Sequence, residues 1–190
     1  EVERQIMSMI DLSNIACGGH AGDRDSIRMT LRLAAEYNVG CGAHPSYEDV
    51  DHFGRKYHKL SAIEIRDMLS RQIDLFLNCC LIENIDATHI KPHGALYHAC
   101  NHREYEAQTF LELITDRYSH LHLLSAPDSH LSRLCSQTSV MYISESFVDR
   151  HYGDDLQLIS RDHPDAVIED VDTATRQYLE LCDNRVSTHS

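Results

Sequence analysis

Short apolar runs alternate with longer amphipathic stretches along this chain. From Asp23 onward, apolar residues recur at Ile27, Leu31, Ala34 and Ala35, the spacing of one helical face. Asp23 has the chemistry of an N-cap, and Asn38 with Gly40 supplies the stop. A strand then leads into Gly42-Ala43-His44, and residues 47 to 60 form a polar loop. Ser61-Ala62-Ile63-Glu64 is a capping box. It opens a helix whose stripe carries Ile65, Met68, Leu69, Gln72, Ile73 and Phe76. The run Ala87-Thr88-His89-Ile90 predicts a strand, residues 103 to 117 a helix, and Leu121 to Leu124 a second strand. A short helix from about Ser129 to Gln137, a strand at Val140 to Ile143 and a helix over roughly 170 to 182 follow. Val186-Ser187-Thr188 reads as a last strand ending at His189.

Strand, helix, strand, helix implies parallel pairing through right-handed crossovers. A (β/α) barrel and an open doubly wound sheet both fit. In either one, sites form at the carboxyl ends of strands, where His20, His44, His93, Asp149 and His189 all fall. No linker, internal repeat or low-complexity tract breaks the 190 residues, so the chain reads as one domain.

Composition narrows the partners. The formal charge is −13, from 30 acidic against 17 basic side chains, which argues against nucleic acid or an anionic membrane surface. No run of 18 apolar residues suggests a membrane span, and no signal-peptide pattern opens the chain at Glu1. The seven cysteines are odd in number and form no CxxC pair. They read as reduced, buried thiols in a cytoplasmic protein.

Three strand ends carry the chemistry. The first is Gly18-Gly19-His20-Ala21-Gly22-Asp23. A tight turn and a helix cap account for its glycines and Asp23, but neither needs the imidazole of His20. In His44-Pro45-Ser46-Tyr47, Pro45 holds His44 extended, and a rigidly placed neutral histidine suits a general base or a metal ligand. Tyr47 and Asp49 read as lining residues. The richest stretch is Lys91-Pro92-His93-Gly94-Ala95-Leu96-Tyr97-His98. Burying Lys91 or His93 without a partner costs several kcal/mol, so their place beside a strand asks for a reason. Lys91 suits an oxyanion, carboxylate or phosphate. His93, two residues on, shares its face if the strand continues. Glu145, Asp149, Arg150 and Arg161 form a mixed-charge group that fits either a surface ion-pair network or carboxylate recognition by arginine. No GxxxxGK[ST] loop is present, so ATP would have to be handled without one.

Taken together these segments resemble the LamB/YcsF family of 5-oxoprolinase A subunits. The matching residues are Ser13 to Gly18, His20 to Asp23, Gly42 to Tyr47 with Asp49, Phe53-Gly54-Arg55 and Lys91 to Tyr97. Glu145, Phe147, Asp149-Arg150, Tyr152, Arg161 and Ala166-Val167-Ile168 follow. The resemblance implies a seven-stranded (β/α) barrel of the glycoside hydrolase/deacetylase type. It also implies ATP-coupled opening of the lactam of 5-oxo-L-proline to L-glutamate, in the company of B and C subunits. The family's opening strand, with its acidic Asp-Leu-Asn and Gly-Glu motif, is missing from this sequence, and the closing segment is shortened. On this reading His20, His44, Lys91 and His93 are catalytic. Asn14, Asp23, Ser46, Tyr47, Tyr97, Asp149 and Arg150 bind substrate or nucleotide. ATP is the cofactor, and a divalent metal, magnesium or zinc, is an optional one. The sequence allows a homo-oligomer and does not specify one.

Two other classes stay open. Two or three histidines and an acid at strand ends would also suit a Zn²⁺ amide hydrolase or polysaccharide deacetylase that needs no ATP. The other is a non-catalytic component that binds substrate or serves as a scaffold.

Overall fold

The computed structural model describes residues 2–154, 156–161 and 163–183. Five strands lie side by side in chain order: β1 (Leu12–Ala16), β2 (Gly40–His44), β3 (Ala87–Ile90), β4 (His122–Ser125) and β5 (Tyr142–Ser144). Every neighbouring pair is parallel. The strand order never reverses, so right-handed crossovers carry the connecting helices over one face. A doubly wound sheet needs a reversal, and among the described residues there is none. The seven strands implied by the resemblance are not seen: five are described, and β1 and β5 are the sheet's two ends. The strand expected at Val186 to Thr188, with His189, lies outside the described residues.

The described chain forms two compact units, one ending at Ser144 and one beginning at Glu145. The first holds the sheet with helices α1 (Val2–Met7), α2 (Arg24–Glu36), α3 (Ala62–Glu83), α4 (Gly94–His102), α5 (Glu104–Arg117) and α6 (His130–Cys135). α2 starts where Asp23 accepts from the Ser26 N–H. α3 starts at the Ser61/Glu64 capping box and stops at Asn84 in the left-handed region. α2 packs on β1, β2 and α3, and α3 packs on α5. Ile27, Leu31, Ile65, Leu69, Ile73, Phe76, Phe110 and Ile114 fill the layer between helices and sheet. Each such side chain contributes about 1.5–3 kcal/mol by leaving water. Six of the seven cysteines are buried, and none is in a disulfide.

Two helices, α1 and α4, go beyond what the sequence pattern predicts. α4 begins directly after His93, which takes the N-cap position with no side-chain cap bond. Without Ser, Thr, Asp or Asn at that point, the usual start signal is absent.

Alternation along the strands sorts the two faces of the sheet. Ile15, Cys41, Ala43 and Ile90 are buried among the core side chains. Asn14, Gly42, His44 and His89 therefore point the other way, and the register sets Asn14, Gly42 and His89 in one row. The second unit contains α7 (Val171–Cys182), capped by Asp170, and the isolated bridges Arg150–Val167 and Tyr152–Leu158.

Candidate functional site

Three consecutive strand ends bring three imidazoles together. His20 comes from the turn after β1, His44 is the last residue of β2, and His93 caps α4 just beyond β3. His20 stacks on His93 with ring centroids 3.8 Å apart and planes 14° from parallel. His44 meets His93 edge-on at 4.8 Å. The Phe53 ring stands edge-on to both His20, at 4.9 Å, and His93, at 5.3 Å.

Hydrogen bonds set each ring's orientation. Ser46 Oγ donates to the Tyr47 carbonyl at 2.8 Å. Its only proton is thereby used, so His20 Nδ1 donates to Ser46 Oγ across 2.9 Å. His20 Nε2 is then the ring's lone-pair nitrogen. Ser46 is itself clamped by α3: Gln72 Nε2 donates to its carbonyl at 2.8 Å, and its N–H donates to Gln72 Oε1 at 3.0 Å. His44 Nδ1 donates to the Lys91 carbonyl at 2.7 Å. His44 Nε2 and His93 Nδ1 are 3.0 Å apart, and His93 Nε2 donates to the Phe53 carbonyl at 3.0 Å. Burial, reinforced by the His93 charge, pushes His44 down to about 3. Burial, with His93 and Arg55 nearby, pushes His20 down to about 4.

The loop carrying Phe53 is part of the site. Phe53 and Gly54 both have positive φ, and the Gly54 carbonyl accepts from the Ala95 N–H at the start of α4. A Cβ at Gly54 would lie 2.9 Å from His20 Cβ and 3.1 Å from Ser46 Cβ. That loop therefore closes over the imidazoles only because position 54 has no side chain.

One layer below lies His89, a buried histidine that the sequence pattern presents only as part of an apolar strand. Its ring lies over Gly42, where a Cβ would overlap it. Its Nε2 is 2.9 Å from the Asn14 side-chain amide and its Nδ1 is 2.7 Å from Thr88 Oγ1. Burial pushes it down to about 4.

The remaining expected residues divide. Lys91 continues β3 toward the cluster, its N–H donating to the Ala43 carbonyl. Asn14 holds His89, and Ser46 holds His20, so both act through a histidine. Asp23 is exposed and its carboxylate is engaged by Ser26 N and Oγ at 2.8 and 2.7 Å, as a helix cap requires. Tyr47 is fully buried against Tyr57 and His58. Tyr97 lies in the first turn of α4. Asp149 and Arg150 belong to the second unit. There the buried Arg150 guanidinium donates to the Ala166 and Ile159 carbonyls, tying together loops of its own unit.

A three-ligand metal centre does not fit these residues. Both nitrogens of His44 and of His93 are already engaged, which leaves only His20 Nε2 pointing clear. Among the described residues no group of three His, Cys, Asp or Glu side chains is spaced to hold a metal ion.

The same strand ends carry the family motifs, and a sequence model described as the LamB/YcsF family matches residues 1–190. The chain belongs to the LamB/YcsF family. Similar LamB/YcsF relatives include the 5-oxoprolinase A subunit of Pyrococcus abyssi, 37% identical over 95% of this chain and 71% of the relative. Another is the 5-oxoprolinase A subunit of Staphylococcus aureus, 36% identical over 94% and 72%. Among solved structures, the lactam utilization protein of Thermus thermophilus superposes with a TM-score of 0.88 at 29% identity. That match covers 94% of this chain and 72% of the other. The architecture of the LamB/YcsF family is thus the one described here, an α/β fold on a parallel sheet. Among the described residues no helix is long and apolar enough to cross a membrane.

Proposed function

We propose that this chain is the A subunit of an ATP-dependent 5-oxoprolinase, a cytoplasmic hydrolase that opens the lactam of 5-oxo-L-proline to L-glutamate with B and C subunits. The observation that carries the reading is the cluster of His20, His44 and His93 at three adjacent strand ends, in a chain whose relatives carry that name. A lactam is a stable amide, and its hydrolysis needs a proton acceptor for water and a proton donor for the departing nitrogen. It also needs positive charge where oxygen becomes anionic. Histidines supply the first two and Lys91 the third.

ATP makes the amide carbon a better electrophile by phosphorylating its oxygen, and Lys91 steadies the phosphate or oxyanion charge. With no glycine-rich phosphate loop in the chain, the nucleotide is shared with the partner subunits, and Mg²⁺ arrives with its phosphates. The closed form of the fold is a seven-stranded barrel, of which the five described strands are an arc.

The test is glutamate release from 5-oxoproline and ATP, with and without the B and C subunits. Turnover should require all three subunits, and Lys91→Ala or His93→Ala should lower it at least ~100-fold, the usual reach of acid–base groups. Full activity in either variant overturns the assignment of roles. Binding of 5-oxoproline without turnover in the complete complex would favour a scaffold instead.

A further inference from the structure

The hydrogen-bond pattern around His44 and His93 calls for more protons than two neutral imidazoles hold. The Lys91 and Phe53 carbonyls face His44 Nδ1 and His93 Nε2 at 2.7 and 3.0 Å. A carbonyl oxygen only accepts, so both of those nitrogens carry hydrogen. The inner nitrogens, His44 Nε2 and His93 Nδ1, are 3.0 Å apart, a distance that needs one hydrogen between them. The four nitrogens therefore carry three hydrogens, where two neutral rings would carry two.

We infer that His44 and His93 hold one extra proton between them as a monocation, so that the pair enters the reaction as its acid and His20 is its base. The assignment rests on the lactam-opening reading for its chemistry, though the proton count does not. The proton resides on His93. His44 is the more buried ring and already uses Nδ1 for the Lys91 carbonyl, and its own protonation is opposed by burial and by His93. His20 comes from a different strand end, stacks on His93 and is kept neutral by burial and by the charges of His93 and Arg55. Its Nδ1 is anchored on Ser46, and its Nε2 lone pair is the one ring nitrogen of the three left for a proton from water.

Among the groups facing the pair are His20 from the turn after β1, Lys91 from the end of β3, and the Phe53 ring and carbonyl from the loop, with Arg55 acting on His20. In the reaction, water oxygen bonds to the lactam carbon once its oxygen is phosphorylated, and one water proton passes to His20 Nε2. The ring C–N bond then breaks with its electron pair staying on nitrogen, and that nitrogen takes the proton from His93. The amine is formed, and the acyl phosphate left on carbon takes a second water to give the carboxylate and inorganic phosphate. His20 returns its proton to solvent, and the His44–His93 pair regains one.

The proton count is read without substrate by imidazole ¹H–¹⁵N correlation spectra of the ¹⁵N-labelled chain at pH 7.5. His93 should appear with both nitrogens protonated, and His20 and His44 as neutral Nδ1–H tautomers. A neutral His93 at that pH overturns the shared proton whatever the substrate proves to be. Replacing the acceptor should confirm the partner: His44→Phe should lower the His93 midpoint by about one pH unit or more. His44→Gln, whose amide oxygen still accepts, should hold it closer to the parent, and equal midpoints in the two would overturn the pairing. The division of roles is tested separately in the complete complex. The alkaline limb of kcat should follow the His93 midpoint, and His20→Gln should lower kcat with 5-oxoproline affinity unchanged. A kcat limb unrelated to His93, in a complex that does turn over, refutes the acid role while leaving the lactam reading intact.

Discussion

Ser46 determines which nitrogen of His20 faces substrate. Its hydroxyl spends its proton on the Tyr47 carbonyl and so can only accept from His20. Ser46→Ala removes that acceptor and leaves a buried imidazole N–H unpaired, which costs about 1–3 kcal/mol. The expected outcome is a lower urea midpoint together with a tenfold or greater loss of kcat at little change in KM. An unchanged kcat would mean that His20 does not need to be held. Asp23→Ala should behave in the opposite way. Losing the cap costs roughly 1 kcal/mol, and activity should stay within about twofold. A tenfold activity loss without matching destabilisation would instead place Asp23 against substrate. At this scale much is legible in the chain itself, since the strand-end histidines at 20, 44 and 93, which no turn or cap requires, meet in one cluster. The Phe53 carbonyl is not legible, because a main-chain oxygen leaves no residue-type signal. Gln72 is hidden differently, on the apolar stripe of α3, where its position reads as core.

At the level of elements, periodicity and capping chemistry locate α2, α3, α5, α6, α7 and strands β2 to β5, and the glycine turn at Gly18 marks the end of β1. The strong signals are those with a reciprocal partner, such as Ser61 with Glu64. α4 escapes because its N-cap is a histidine making no cap bond, and its first residue is a glycine at φ +57°. The row Asn14–Gly42–His89 also lies beyond reach, since register is a property of paired strands. Its importance can be measured. Gly42→Ala puts a methyl into the volume of the His89 ring, and overpacking of this kind costs about 1–3 kcal/mol. Thermal unfolding should show the loss, and a neutral Gly42→Ala would mean that the ring can move aside.

For the whole molecule, the buried imidazoles set the acid limit of stability. His20, His44 and His89 are held near 4, 3 and 4, against an ordinary value of 6.5. The unfolded chain therefore takes up protons that these folded sites refuse, starting as pH falls below about 6.5. Their contribution to stability is full above that pH and is lost progressively as pH drops toward 4 and then 3. Urea unfolding at a series of pH values should show stability falling between pH 7 and 5, with His89→Asn flattening the slope. A pH-independent midpoint over that range would contradict the neutral burial of these rings. Strand order cannot be read from the chain, because alternation alone fits both singly and doubly wound sheets. The non-reversing order settles it, and with it which face the histidines share. The packing of His89 over Gly42 has a further bearing on how such a chain can change. Positions 42 and 89 lie far apart in sequence yet share one volume, so what position 42 accepts depends on what stands at 89. Residues bulkier than alanine at 42 require a shorter one at 89, so a library that enlarges position 42 gains folded clones when position 89 is varied with it.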